Sequence, residues 1–379
     1  MRPADDARTR AADRCAPLRP RWSTGWRDAP SIASGWATNR NNFNLMRLVA
    51  AWMVIYGHAW AITAAPGADL VTRLTQFKFA GGVAVDVFFV ISGFLIAASL
   101  QRNSIGSYLA SRALRILPAL AVCAALGAFV LGPLLTTATD YWQQPQVWRY
   151  FWVNATLKSS EFFLPGVFEA LPRTAINGSL WTLPIEARLY LALLLAGSLG
   201  LLTRRRYTPL WLLAMVAGYA LARWKAPLPD HIANYAWCTA FFISGTALWL
   251  NRERVRLSWW ALLALVVAAA FTRGGPWFHI PYYLLLCYGT LFVAFVPKLP
   301  MIRHTDLSYG LYLYGWPAQQ LVLLATHDTR PLANMAWATA LALVLAALSW
   351  FLVERPALRL KKRFGTRTPA ASPAAVAAA

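Results

Sequence analysis

Charge is what this sequence has least of. Only 13% of its 379 residues are Asp, Glu, Lys or Arg, against about 25% in a soluble domain. Acids are scarcest: 15 Asp and Glu face 36 Lys and Arg. Such a chain cannot coat a globular core with a solvated surface, which excludes a soluble enzyme. Cysteine is rare and dispersed (Cys15, Cys123, Cys238, Cys287) with no CxxC, so neither a disulfide framework nor a thiolate metal site is indicated. Three of the four fall in apolar stretches, where core packing is the expected role. No two histidines have the helical spacing of a metal site. Residues 1–42 contain no apolar run of signal-peptide length, and no internal repeat is visible.

What the chain has instead is apolar surface: 58% hydrophobic residues, with 19 Trp, 19 Phe and 14 Tyr. A bilayer crossing takes about 20 apolar residues. About ten such stretches follow one another, at roughly 43–64, 80–101, 113–135, 180–202, 207–222, 233–250, 257–272, 279–296, 305–326 and 332–354. The sequence therefore predicts an all-α, polytopic membrane bundle of about ten transmembrane helices over residues 43–356. A basic arm (1–42), expected to be disordered, precedes it, and a basic, then Ala/Pro-rich tail (357–379) follows. The net charge of +21 could suggest nucleic acid. Its distribution argues otherwise: segments expected in the cytoplasm hold 25 of the 36 Lys and Arg, those outside nine. That is the positive-inside pattern, with both termini cytoplasmic.

Ionisable residues inside such spans are costly and face protein or a wet cavity. In the first span, Arg47 and His58 are eleven residues apart. They lie on one face, about 16 Å apart along the axis. Asp86, in the second span, could orient His58 as carboxylates commonly do, or form a structural pair with an Arg. Ser92-Gly93 suggests small-residue helix packing; no local base marks Ser92 as a nucleophile. Glu186 lies near the outer end of the fourth span with Tyr190 on the same face at i+4. It is a candidate acid, base or substrate ligand, with a structural ion pair as the alternative. Ser179 is the expected cap of that helix. Arg112 and Arg115, opening the third span, form one cationic patch. It is either an orientation signal or a clamp for phosphates of a cytoplasmic cosubstrate. The loop 136–179 carries Tyr141, Trp142, Trp148, Trp152, Phe162 and Phe163, either an interfacial belt or a platform for sugar rings. Later come an aromatic helix through Tyr309, Tyr312 and Pro317, and Glu354-Arg355-Pro356 at the end of the last span.

Together these pieces resemble the acyltransferase-3 family of integral-membrane O-acyltransferases. The resemblance rests on Arg47-x10-His58 and on Ala84-Val85-Asp86 through Leu95, with Ala84 where Gly is usual. Arg112-x-x-Arg115, Trp181 to Glu186, Ser308 to Leu313 and Glu354-Arg355-Pro356 also fit. One departure is Gly315, where many relatives carry a His two residues before the Pro. The resemblance implies a bacterial inner-membrane protein that takes an acyl group, expected to be acetyl, from acyl-CoA and gives it to a carbohydrate or glycolipid. No permanently bound cofactor and no metal is implied, and the short tail is expected to leave no room for the extra hydrolase-like domain of some relatives. The expected roles are His58 as general base, oriented by Asp86 or Glu186. Arg112, Arg115 and Arg47 would hold the donor. Trp181, Tyr309, Tyr312, Glu354 and Arg355 are acceptor-side or structural candidates. Direct transfer is expected over a covalent acyl-enzyme. The competing class is a transporter or flippase, which intramembrane charges and broken helices also fit.

Overall fold

The computed structural model describes residues 29–200, 229–302 and 305–361. The expected span 207–222 lies outside the described residues. Every other expected span coincides with a helix, and the architecture is an all-α membrane bundle. In chain order the helices are α1 (Ile32–Ala37), α2 (Phe43–Thr63), α3 (Leu70–Thr75), α4 (Ala80–Arg102), α5 (Ile105–Leu126), α6 (Pro145–Ala155), α7 (Thr182–Ser198), α8 (Asp230–Leu250), α9 (Trp259–Thr272), α10 (His279–Phe295), α11 (Ser308–Thr326) and α12 (Pro331–Ser349). A π-turn at Gly127–Leu131 extends α5 to Leu135, and another at Trp350–Glu354 extends α12 to Arg359. Among the described residues, five segments are long and apolar enough to cross a membrane: Phe43–Thr63, Ala80–Arg102, Ile105–Leu135, Gly178–Ser198 and Pro331–Arg359.

Two expectations are corrected at helix starts. α5 begins at Ile105, because Ser104 caps it by accepting from Ser107 N at 3.3 Å. Arg112 and Arg115 therefore sit about two and about three turns inside the helix rather than at its opening. Ahead of α7 the cap is Asn177, whose side chain accepts from Ser179 N at 3.1 Å; Ser179 itself lies in the short 3₁₀ turn Gly178–Trp181.

The arm is corrected as well, over residues 29–42. Ile32 is fully buried, and Ile32 N donates to Val255 O at 3.1 Å. Trp36 packs edge-on against Phe94 and Trp249, and the Asn42 amide donates to Val293 O and Pro297 O at 2.7 and 2.8 Å. An apolar Ile and Trp in an otherwise polar stretch give this segment enough burial to dock.

α4 is the central helix, and glycine lets α8 reach it. A Cβ on Gly93 would stand 1.9 Å from Phe242 O, and one on Gly245 2.2 Å from Val90 O. Backbones this close are how small residues pack membrane helices. The same geometry brings Trp237 beside Asp86 and Trp249 beside Gln101, so α8 runs parallel to α4. At one end of the bundle lie Arg47, Arg102, Arg112 and Arg115, the arginine end. At the other lies the long connection between α5 and α7, the loop end.

Candidate active site

Four tiers of side chains can be followed from the arginine end inward, each set by a turn of α4, α7 or α11. In the first tier, Asp306, just ahead of α11, joins two arginines: its Oδ2 lies 3.1 Å from Arg47 Nη2 and 2.7 Å from Arg115 Nη2. Arg115 Nη1 also donates to Glu354 Oε2 at 3.1 Å, and Glu354 accepts from Ser349 Oγ at 3.1 Å. Burial would raise the Asp306 carboxyl, but Arg47 and Arg115 outweigh it and hold the group below its ordinary range. Arg112 differs from its neighbour: its Nε is buried without a hydrogen-bond partner, and no carboxylate is paired with it among the described residues. Arg47, Arg112, Arg115 and Asp306, with Arg102 and Lys361, line a vestibule of about 660 Å³.

The vestibule shares Arg47, Leu95, Arg112 and Arg115 with a narrower cavity of about 110 Å³. This cavity is lined in its middle by the second tier. Ser92 Oγ donates to Glu186 Oε1 at 2.7 Å, and Tyr190 OH donates to the same oxygen. The carboxylate that Ser92 lacked in sequence is thus supplied by α7. The third tier is one turn farther, where Tyr312 OH donates to Ser179 O at 2.5 Å and shares a 2.6 Å hydrogen bond with Thr182 Oγ1. The Phe88 ring stands edge-on to Tyr312 with centroids 5.9 Å apart. Phe88, Thr182 and Tyr312 all line the cavity, which reaches Val85 on α4.

His58 belongs to the fourth tier. Its ring is 4.9 Å from Trp316 and 5.3 Å from Phe79, and Nδ1 is buried without a hydrogen-bond partner. Trp316 is one turn beyond Tyr312 on α11, about 6 Å along the axis. Trp316 Nε1 donates to Ala175 O at 2.9 Å, and Gly178 lets the chain cross its ring, since a Cβ there would come within 2.6 Å. Gly315, at the position of the usual family His, is where α11 meets α2: a Cβ there would lie 2.7 Å from Ile55 Cγ1.

The expected partnership of Asp86 with His58 is corrected. Asp86 is fully buried, but it faces α8 and α10. Lys78 Nζ donates to both its oxygens at 2.8 Å, Tyr282 OH donates at 2.7 Å and Trp237 Nε1 at 3.0 Å. The cation is a Lys just ahead of α4, not the Arg considered from sequence. Nor does Glu186 hydrogen-bond His58; its partners are Ser92 and Tyr190. Of the remaining candidates, Tyr309 OH donates to Ile116 O at 3.0 Å under the Arg115 guanidinium. Trp181 is partly buried against the main core, and Arg355 is exposed. Sequence reasoning missed Asp306, Lys78 and Trp316. The signals were there: an acid two residues before Ser308, a Lys two before α4, and a Trp between Gly315 and Pro317.

The acyltransferase-3 model, described as an acyltransferase domain, matches residues 40–354. The chain belongs to the acyltransferase-3 family. It is 31% identical over 348 residues to an O-acetyl transferase of Shigella phage Sf6, covering 86% of this chain and 97% of that protein. It is 26% identical over 366 residues to nodulation protein 10 of Rhizobium leguminosarum bv. viciae, covering 85% and 94%. No solved structure matches it. The four tiers are therefore features of a membrane O-acyltransferase. Its Arg47-x10-His58 helix spans them from the first to the fourth.

Proposed function

We propose that this acyltransferase takes an acyl group, acetyl by preference, from cytoplasmic acyl-CoA. It passes the group to a hydroxyl of a carbohydrate or glycolipid on the outer face of the bacterial inner membrane. The observation that carries this reading is the pair of adjoining cavities, which share Arg47, Leu95, Arg112 and Arg115. They run from a mouth ringed by Arg47, Arg102, Arg112, Arg115 and Lys361 to the buried Ser92–Glu186–Tyr190 cluster. A cationic mouth suits the phosphates of CoA, and the slim passage above it suits a pantetheine arm.

The residues divide the work. Arg112, without a carboxylate of its own, takes a donor phosphate. Arg47 lines the way inward, and Arg115 shapes the mouth through Asp306 and Glu354. The arm carries the thioester past Ser92 and Glu186 and between Phe88 and Tyr312 to the level of His58. The acceptor arrives from the loop end. His58 takes the proton of its hydroxyl as that oxygen bonds to the acyl carbon. The carbon–sulfur bond breaks, and the proton passes from the imidazolium to the departing CoA sulfur. Glu186 holds the Ser92 and Tyr190 hydroxyls along the path of the arm. Asp86 takes no part, since its oxygens are committed to Lys78, Trp237 and Tyr282.

His58→Ala tests the scheme. General-base catalysis is worth about 10²- to 10⁴-fold, so transfer to host glycans, followed by mass spectrometry of the acyl mass, should fall by at least about a hundredfold while the protein still inserts. Turnover within a few-fold of the parent would remove His58 from this role.

A further inference from the structure

The narrow cavity contains an acceptor that the protein leaves unused. Glu186 Oε1 takes the hydrogen bonds of both Ser92 and Tyr190. Glu186 Oε2 takes none from the described residues, yet it is not sealed off: Glu186 lines the cavity and is only partly buried. The wall around it is apolar, with Ile91, Leu95, Ile116 and Leu183. Arg47, Arg112 and Arg115 line the part toward the mouth. Anionic groups are held at these arginines and repelled by the carboxylate. A neutral N–H or O–H donor that passes the arginines meets a charged acceptor, whose hydrogen bond is about twice as strong as a neutral one.

The depth of Oε2 selects the donor group. Ser92, bonded to Glu186, is one turn of α4 from Phe88, which touches Tyr312. Tyr312 is one turn of α11 from Trp316, which touches His58. The Glu186 level is therefore about 12 Å from the His58 level. Along an extended CoA thioester, the first amide nitrogen is about 4 Å from sulfur, the second about 8 Å, the pantoyl hydroxyl about 11 Å and the first phosphate about 15 Å. With the acyl carbon at His58, that phosphate reaches the Arg47 level, about 16 Å away along α2. The first amide falls in the Phe88–Tyr312 layer, where Thr182 and Tyr312 are already bonded to each other and to Ser179 O. The second amide and the pantoyl hydroxyl come within a hydrogen bond's reach, about 3 Å, of Glu186.

We infer that Glu186 Oε2 holds the pantoyl end of the pantetheine arm, accepting from its second amide N–H and the adjoining hydroxyl, and so sets how far the thioester advances toward His58. The inference rests on acyl-CoA being the donor.

The test uses the full chain in detergent, with host membrane extract supplying acceptor. It follows thiol release from acetyl-CoA, S-acetylpantetheine and S-acetyl-N-acetylcysteamine, the last of which keeps only the first amide. The parent should favour S-acetylpantetheine over the cysteamine thioester by at least about tenfold in kcat/KM, the worth of a hydrogen bond to a charged group. Glu186→Ala should lower kcat/KM for acetyl-CoA and S-acetylpantetheine by about 10- to 100-fold relative to the cysteamine thioester, erasing the preference. Glu186→Gln keeps an oxygen for Ser92 and Tyr190 and serves if Glu186→Ala does not fold; it should cut the preference by at least about threefold. Where a short donor turns over too slowly to time, pantetheine and N-acetylcysteamine are compared as inhibitors of acetyl-CoA turnover, with the same ratios expected. A folded Glu186→Ala that slows every donor by one factor would overturn the inference, as would a parent indifferent to the missing second amide. No CoA release from acetyl-CoA by the parent would instead overturn the acyl-CoA reading beneath it.

Discussion

Replacing Lys78 and Asp86 separates a structural charge from a catalytic one. Asp86 has no exposed surface and Lys78 keeps 25% of its side chain accessible. Lys78→Met leaves a buried carboxylate facing only two neutral donors, Trp237 and Tyr282. Breaking a buried pair in this way costs about 3–5 kcal/mol. Asp86→Asn is milder. The amide oxygen still accepts from Trp237 or Tyr282, and the Lys78 ammonium can turn toward water. The loss is of the order of a charged hydrogen bond, about 1.5–3 kcal/mol. Lys78→Met should therefore destabilise the protein more than Asp86→Asn, read as loss of monodisperse protein on heating in detergent. Folded Asp86→Asn should keep most of its transfer per molecule. A catalytic Asp86 reverses the order: Asp86→Asn would melt like the parent and transfer nothing, while Lys78→Met stayed active. That outcome would refute the assignment made here.

Arg112 and Arg115, three residues apart, should behave differently. Arg112→Ala should leave thermal stability intact and weaken CoA binding by about 10- to 100-fold, the worth of a charge-assisted hydrogen bond, measured by calorimetry. Arg115→Ala should act first on stability, because it strips Glu354, 1% exposed, of its cation; a stable Arg115→Ala with lost CoA affinity would contradict this. Asp306→Asn should tighten CoA binding by adding one net positive charge to the mouth, and isothermal titration checks it. The pH dependence has a definite sign. The Asp306 carboxyl is held below its ordinary range, so its stabilising contribution is complete above that range. It is lost only as pH falls through the lowered value. Melting between pH 5 and 8 should show no step from this group, and Asp306→Asn should not change the slope there.

Helix placement was legible because apolar runs of membrane length have few other readings. Boundaries were less so: the start of α5 depended on a Ser104 cap some eight residues ahead of the apolar run. The first-span face carrying Arg47 and His58 was readable from periodicity alone, and the small-residue reading of Ser92-Gly93 matches the close crossing of Gly93 by α8. Partners were not readable, because they depend on which helices become neighbours. Asp86 pairs with Lys78 and Tyr282, eight and 196 residues away. Ser92 meets Glu186 across 94 residues, and Asp306 meets Arg47 and Arg115 only once α11 docks between α2 and α5. Gly315 was noted as a departure, but only the packed helices reveal that Ile55 leaves no space for a side chain there.

The edge-to-face contact of Phe88 and Tyr312 has a consequence for the cell rather than the reaction. A protein that opened one aqueous file from its arginine mouth to its far face would conduct protons and ions and discharge the membrane it sits in. Two aromatic rings and a hydroxyl bonded to a backbone carbonyl narrow any such file at that depth. In the proposed scheme a group of a few atoms passes this depth while water and ions are held back.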